Sequence, residues 1–228
     1  MTGRPAPGVL PSSLRPLFGL IAVLAALVVA AIGVLYAGHS EPGRVDRWFI
    51  SPTADSVQPP WRYVALTLDF LGEPAGSAMV IVTVVVGCLL LRRPRAAVLV
   101  VAGVGVTVGT ATLLKHVVGR TIHGADNLSY PSGHTAFFTA LALAAALPAT
   151  GRLGLGKAAG MSLVLAAALV AGAAMGWAQV ALGAHYPTDV LGGWCTALAV
   201  VPATAWLVDR TADRRAVRTA DAGRLEHR

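Results

Sequence analysis

Long stretches without any charged side chain dominate the hydrophobic pattern of the chain. A helix that crosses a bilayer needs about 20 mostly apolar residues, and six stretches approach or exceed that length. The stretches are residues 17–38, 75–91, 96–114, 135–150, 158–182 and 190–208. This pattern predicts an all-α, polytopic membrane protein built as a bundle of six transmembrane helices.

The remaining segments divide the chain around this bundle. Residues 61–71 are apolar but include Arg62 and Asp69, so we expect an interfacial or re-entrant piece there and not a seventh span. The first stretch follows two arginines, as in a signal peptide, but its apolar core of about 20 residues exceeds the roughly 7–15 of such peptides, which favours a retained helix. The predicted parts are a cytoplasmic, disordered N-terminal arm over 1–15, the six-helix domain over 16–208 and a basic cytoplasmic tail over 209–228.

The composition agrees with a membrane protein. Of 228 residues, 55% are hydrophobic and 13% are charged, and the mean hydropathy is +0.67. A soluble domain carries about 25% charged residues, so a soluble globule, a disordered tail and a nucleic-acid-binding module are all disfavoured. The cysteines Cys88 and Cys195 lie in apolar stretches and offer neither a disulfide framework nor a metal site.

The formal net charge of +7 is distributed unevenly along the chain. If the N-terminus is cytoplasmic, 13 of the 18 Lys and Arg residues lie on the cytoplasmic side, in agreement with the positive-inside rule. We therefore expect a multi-pass protein of the cell (inner or plasma) membrane with both termini in the cytoplasm. The Arg-rich tail from Arg210 onward is either a solvated stop-transfer segment or a segment that adheres to anionic lipid.

Two segments hold most of the polar side chains near the predicted spans. Residues 115–134 read KHVVGRTIHGADNLSYPSGH, and residues 183–189 read GAHYPTD. The segments follow the third and the fifth predicted helix, so both lie on the outer side of the membrane. Polar groups are costly near hydrocarbon and mark functional sites there, which predicts a site at the extracytoplasmic face.

Histidines stand near the start of the fourth and the sixth predicted helix. Ser132 suits a helix N-cap, Gly133 lets a ligand approach the backbone, and the free N–H groups of the next turn form an anion site beside His134. His185 and Asp189 are four residues apart, so the carboxylate can orient the imidazole and leave its other nitrogen free to attack. A capped helix start without chemistry is the plainer alternative in each case.

These segments resemble the type 2 phosphatidic acid phosphatase (PAP2) family of integral membrane lipid phosphatases. The motifs of that family run Lys…Arg-Pro, then Pro-Ser-Gly-His, then Ser-Arg…His…Asp. The second motif is complete at residues 131–134, and the third keeps His185 and Asp189. The first motif keeps Lys115 and places an arginine nearby, at position 120 instead of the usual one.

Two arginines of the family pattern are absent. The positions of the first motif's Arg-Pro hold Ile122 and His123, and those of the third motif's Ser-Arg hold Ala178 and Gln179. Arg120 and the Gln179 amide are candidate replacements, although both Lys115 and Arg120 could equally be interfacial residues without chemistry. Weaker phosphate binding is expected, because neutral hydrogen bonds are weaker than charge-assisted ones.

The resemblance implies a role for each matching residue. His185 would attack phosphorus to give a phosphohistidine, Asp189 would orient the His185 ring, and His134 would protonate the leaving group. The phosphate would be bound by Lys115, Arg120, Ser132, Gly133 and Gln179. The resemblance implies no metal or other cofactor, and its substrate would be a lipid phosphate such as phosphatidate or a polyprenyl phosphate or diphosphate.

The sequence leaves other functions open. The missing arginines favour a catalytically silent relative that binds a lipid phosphate, whereas the retained His134, His185 and Asp189 favour an enzyme. Transfer of the phosphoryl group to an alcohol instead of water would use the same residues. A transporter or channel component has the least support, because the spans lack internal charge and paired broken helices.

Overall fold

The computed structural model describes residues 8–55 and 57–226. Within these residues, eight helices follow one another: α1 (Arg15–Leu35), α2 (Arg44–Asp55), α3 (Trp61–Gly72), α4 (Pro74–Leu90), α5 (Pro94–Val118), α6 (Gly133–Arg152), α7 (Lys157–Ala181) and α8 (Pro187–Glu226). The β-type pairing in this part of the chain is a single bridge between Thr121 and Leu128. The predicted all-helical membrane fold is confirmed.

Five helices, α1, α5, α6, α7 and α8, are each long and apolar enough to cross a membrane. α3 and α4 together meet the same criterion, but they are bent by 74° where they join, so they form either a broken span or a re-entrant loop. The chain is therefore a multi-pass membrane protein, and the predicted number of six holds when the bent pair counts as one span. The piece expected to be interfacial or re-entrant, 61–71, is the first arm of this bent pair.

Glycines let α8 lie very close to its neighbours. A Cβ atom at Gly172 of α7 would overlap the Trp194 ring, and one at Gly176 would overlap Val190. Substitution of either glycine would push α7 away from α8. Because α8 begins next to His185, this close packing also fixes the position of the third motif within the bundle.

The structure describes residues 8–15 of the predicted arm and residues 209–226 of the predicted tail, and the remaining residues of both segments lie outside its described part. The arm is folded from Gly8 onward: Val9, Leu10 and Leu14 are buried, and the N–H groups of Val9 and Leu10 donate to the Asp209 carboxylate over 2.8 and 3.0 Å. Burial of three aliphatic side chains stabilises this conformation, so the prediction of disorder is wrong for residues 8–15. α8 continues through the predicted basic tail as far as Glu226, so the described part of the tail is helical.

Candidate active site

The starts of α6 and α8 lie side by side at one end of the bundle. The backbone N–H of Ser132 donates to the Asp189 carbonyl over 2.9 Å. A Cβ atom at Gly193 would overlap the Ser132 carbonyl, and one at Gly192 would overlap the Tyr130 ring. These two glycines therefore allow α8 to pack against the loop before α6, which brings the two histidine-bearing segments together.

The start of α6 is capped and open to a ligand. The Ser132 hydroxyl oxygen accepts from the backbone N–H of Thr135 over 3.4 Å and lies 3.1 Å from the Thr135 hydroxyl. A Cβ atom at Gly133 would meet nothing within 4 Å, so there is free space at the first residue of the helix. Unpaired N–H groups and the positive end of the helix dipole make this point favourable for an anion.

His185 lies in the loop before α8, and Asp189 lies in the first turn of that helix. His185 Nδ1 is 3.7 Å from Asp189 Oδ2, which is an ion-pair distance but longer than a hydrogen bond. The same carboxylate oxygen accepts from the backbone N–H of Tyr186 over 3.0 Å and so caps α8. The N–H of His185 donates to the Gln179 carbonyl over 3.3 Å, which ties the loop to the end of α7.

Arg120 is completely buried on the far side of Asp189. Its guanidinium donates to Asp189 Oδ1 over 2.7 Å, to the Thr188 hydroxyl over 2.6 Å and to Asp46 Oδ2 over 2.7 Å. The guanidinium also lies over the rings of Tyr36 and Tyr186, 4.1 and 4.6 Å from their centroids. Burial raises the pKa of Tyr186, so this ring stays neutral against the guanidinium.

Asp46 closes this buried network from α2. Its carboxylate accepts from the backbone N–H of Thr188 over 2.9 Å and from that of Gly43 over 2.9 Å, and it is completely buried. Arg120 therefore lies between two carboxylates. Its Nε is a buried donor without a hydrogen-bond partner. Arg120 thus connects the α2 segment to the first turn of α8.

His134 faces the bend between α3 and α4. A Cβ atom at Gly72 would overlap the His134 ring, so the bend packs directly on the imidazole. His134 Nε2 lies 3.6 Å from Asp69 Oδ1 and 3.8 Å from Glu73 Oε1 and makes no hydrogen bond. The two carboxylates are 30% and 53% exposed, in contrast to the closed surroundings of Asp189.

Comparison with known proteins identifies the family of the chain and a protein of similar fold. The family model of the PAP2 superfamily matches residues 97–213, just over half of the chain. The chain belongs to the PAP2 superfamily. Its fold is similar to the crystal structure of a transmembrane PAP2-type phosphatidylglycerolphosphate phosphatase from Bacillus subtilis, with a TM-score of 0.62, 20% sequence identity, and coverage of 88% of this chain and 97% of that one. No curated protein sequence matches the chain significantly.

The two departures from the PAP2 motifs have distinct structural consequences. Gln179, where the third motif has arginine, is buried and donates from Nε2 to Asp69 Oδ1 over 2.8 Å. Arg120 faces Asp46 and Asp189, so its location differs from the one expected for a replacement phosphate ligand. Lys115 donates one hydrogen bond to the Leu128 carbonyl over 2.8 Å and retains further donors on its ammonium group.

Three acidic residues of this PAP2 site were not among the sequence candidates. Asp46, Asp69 and Glu73 all precede the segment that matches the family model, so the motifs gave no reason to choose them. Asp69 carried one usable signal, because a carboxylate within an apolar stretch is costly and marks a functional position. Asp46 carried none, since an acidic residue in a polar loop is ordinary.

One group of side chains in the PAP2 site has the composition of a cation site. Asp69, Glu73 and His134 each offer one ligand atom, and these atoms lie within 4.8 Å of one another. The sequence had suggested no cluster of metal ligands. The group is partly exposed, and the Asp69 oxygen nearest His134 already accepts the Gln179 hydrogen bond, so hydrogen bonding and ion pairing account for the arrangement.

Proposed function

We propose that this PAP2 protein is a membrane-embedded lipid phosphate phosphatase that hydrolyses a phosphomonoester or diphosphate head group without a metal. The observation that carries the proposal is the hydrogen bond from the Ser132 N–H to the Asp189 carbonyl, because it joins the open start of α6, which carries His134, to the segment that holds the His185–Asp189 pair. In this proposal the attacking imidazole, the proton donor and the anion site all come from these two neighbouring helix starts.

His185 is the nucleophile in this proposal. Its Nδ1 faces Asp189, so Nε2 attacks phosphorus, and the bond from phosphorus to the lipid oxygen breaks. His134, as the imidazolium, gives its proton to that oxygen and the lipid alcohol leaves; a diphosphate would leave a lipid monophosphate. Water then attacks the phosphohistidine, His134 takes a proton from the water, and inorganic phosphate is released.

The surrounding residues stabilise charge or hold the nucleophile. The N–H groups at the start of α6 and the Lys115 ammonium group would bind the phosphoryl oxygens. Arg120 acts as a positioning residue, since it fixes the Asp189 carboxylate and is itself shielded from the open space. Asp69 and Glu73 lie 3.6 and 3.8 Å from His134 Nε2, so their charges would favour the imidazolium form, which burial of the ring disfavours.

The second candidate is a PAP2-like protein that binds a lipid phosphate without turnover. The observation that favours it is the hydrogen bond from Gln179 to Asp69, because the family's arginine position here serves a carboxylate. Two carboxylates beside His134 would repel a dianionic phosphate and weaken its binding.

Phosphate release from the detergent-purified protein distinguishes the two candidates. The protein is incubated with a chelator and a panel of lipid phosphates, and we expect inorganic phosphate from at least one substrate together with a trapped phosphohistidine. His185→Ala should abolish both signals. His116→Ala is the matched control, because His116 is exposed on α5 and its Nδ1 interacts with the Thr112 carbonyl of the same helix. Silence of the wild-type protein across the panel, or full activity of His185→Ala, would overturn the proposal.

We also propose that the catalytic end faces the extracytoplasmic side and that both termini are cytoplasmic. The excess of arginine at the opposite end supports this orientation. In a chain with Cys88→Ala and Cys195→Ala, Asp126→Cys in the α5–α6 loop should react with an impermeant thiol reagent in intact cells. Leu153→Cys after α6 should react only once the membrane is opened, and the reverse pattern would invert the orientation.

A further inference from the structure

A groove lies between the start of α1 and the later part of α8, at the end of the bundle opposite to His185. Arg210 in this groove is 21 residues beyond Asp189 on the same helix. Since an α-helix rises about 1.5 Å per residue, roughly 30 Å separates the groove from the candidate active site. The groove is therefore a distinct feature of the molecule.

The outer part of the groove is cationic. It encloses about 620 Å³ and is lined by Arg15, Arg210, Arg214 and Arg218 together with Trp206 and Asp213. The three arginines of α8 follow one another at intervals of four residues and so share one face of the helix. Like charges at this spacing repel one another, and an anion between them would relieve the repulsion.

The inner part of the groove is apolar and continuous with the outer part through Arg15 and Trp206. It encloses about 500 Å³ between Pro16, Gly19 and Ala22 of α1 and Pro202 and Ala203 of α8. Gly19 faces open space, because a Cβ atom there would meet nothing within 4 Å. The small side chains of α1 leave an apolar channel between α1 and α8.

The nearby carboxylates are already engaged with other groups. Asp213 pairs with Arg95 over 3.0 Å, and Asp209 accepts the N–H groups of Val9 and Leu10 and lies 3.7 Å from Arg15, so Arg15 already has an anionic partner. Among the side chains that the structure describes, no carboxylate forms an ion pair with Arg214 or Arg218. Arg214 and Arg218 thus line the cavity without an ion pair to any of these described side chains, while Arg210 lies over the Trp206 ring, 4.8 Å from its centroid.

We propose that this groove binds an anionic phospholipid, with the phosphate among the arginines and one acyl chain in the apolar part. The planar guanidinium fork matches phosphate oxygens, and Trp206 lies at the junction, where tryptophan marks the boundary between head groups and hydrocarbon. A free anion would leave the apolar part empty, and a neutral lipid would leave the arginines without a counter-ion. The bound lipid would join α1 to α8, whose first turn holds Asp189.

Lipid binding to the full chain in detergent tests the proposal by native mass spectrometry. The probe is phosphatidylglycerol, a phosphodiester that the proposed phosphatase would not hydrolyse, compared with phosphatidylcholine of equal chain length. We expect selective binding of phosphatidylglycerol that weakens about 30-fold in Arg214→Gln/Arg218→Gln. Gly19→Leu, which fills the channel, should weaken the binding of long-chain but not short-chain lipid. His185→Ala should bind as the wild type does, so this result is independent of catalysis.

A control that removes two other cations distinguishes binding in the groove from general electrostatic attraction between the protein and anionic lipid. Arg152→Gln/Lys157→Gln removes two exposed cations at the same end of the bundle, away from the groove. This control should change affinity less than twofold. Equal weakening by both pairs, equal binding of phosphatidylcholine, or undiminished binding to Gly19→Leu would each overturn the proposal. Binding of inorganic phosphate as strongly as of the lipid would also overturn it, because the arginines would then form a free-anion site.

Discussion

The two histidines of the candidate site lie in contrasting surroundings. The carboxylate beside His185 is completely buried and is held by Arg120 and by the N–H of Tyr186. The carboxylates beside His134, Asp69 and Glu73, are partly exposed and lie on a bend between two helices. A nucleophile must be held in line with phosphorus, whereas an acid–base catalyst must exchange protons with water. The difference therefore matches the two roles that we propose.

The contrast also concerns charge. Arg120 neutralises only one of its two carboxylate partners, and His134, even when protonated, faces Asp69 and Glu73. Lys115 is then the main side-chain cation left for a phosphate, in addition to the start of α6. We therefore expect the site to bind phosphate less tightly than one with both motif arginines. We expect Asp69 and Glu73, beside His134, to cause most of this loss of affinity.

The largest predicted effect distinguishes the roles of His134 and His185, because only the loss of His134 should depend on the leaving group of the substrate. His134→Ala should lower kcat about 10²- to 10⁴-fold for an alkyl phosphate, because the leaving alkoxide would lack a proton donor. An aryl phosphate with a low-pKa leaving group needs no such donor and should be hydrolysed at nearly the wild-type rate. His185→Ala should be inactive towards both substrates. Equal loss of both activities in His134→Ala would contradict its assignment as the general acid.

The next prediction concerns the buried network on the His185 side. Arg120→Met leaves Asp46 and Asp189 without their shared cation, which should lower the free energy of unfolding by about 3–5 kcal/mol. Loss of the fixed carboxylate should also lower kcat more than it changes KM. Unfolding in a denaturing detergent measures the first effect, and steady-state kinetics with a lipid phosphate measures the second.

Arg47→Met is the control for this prediction. Arg47 is exposed on α2 beside Asp46 and donates to the Pro42 carbonyl, so both measurements should stay close to those of the wild type. An Arg120→Met protein with normal stability and a raised KM would instead show that Arg120 binds phosphate, as the sequence alone suggested.

The sequence was informative where local chemistry decides the structure. Ser132 and Gly133 form a helix start from neighbouring residues alone, and the spacing of His185 and Asp189 brings them together across a single turn. The long apolar stretches likewise determine membrane-spanning helices almost independently of context. Such features need no knowledge of which distant segments meet.

The surroundings of these motifs depend on long-range contacts and were not predicted. Asp46 meets Arg120 across 74 positions, and Gln179 meets Asp69 across 110, so neither pair follows from spacing. The role suggested for Arg120 rested on its distance from Lys115 along the chain. In the structure, Gly119 adopts a left-handed conformation with φ +64° directly before it, and the Arg120 side chain is buried against Asp46 and Asp189.

A smaller effect is expected on the His134 side. Asp69→Asn removes a partly exposed charge near the proposed phosphate position and should lower KM for a dianionic lipid by about threefold to tenfold. The gain should shrink at high ionic strength, because the charge is screened by salt. Asp126→Asn, which removes an exposed charge from the α5–α6 loop, should leave KM unchanged. A raised KM in Asp69→Asn would show that the carboxylate assists phosphate binding, for example through a cation.

The smallest single effect is expected for Gln179→Arg, although this substitution restores the residue of the family motif. Gln179 donates to Asp69 over 2.8 Å, so a new guanidinium would pair with that carboxylate and KM should change less than twofold. In the Asp69→Asn background the guanidinium has no such partner and can bind the phosphate, which should lower KM about fivefold more, because charge-assisted hydrogen bonds are the stronger ones. Gln58→Arg, the same change at an exposed glutamine, should do nothing in either background. If Gln179→Arg lowers KM equally with and without the Asp69 carboxylate, this carboxylate does not control whether residue 179 can bind phosphate.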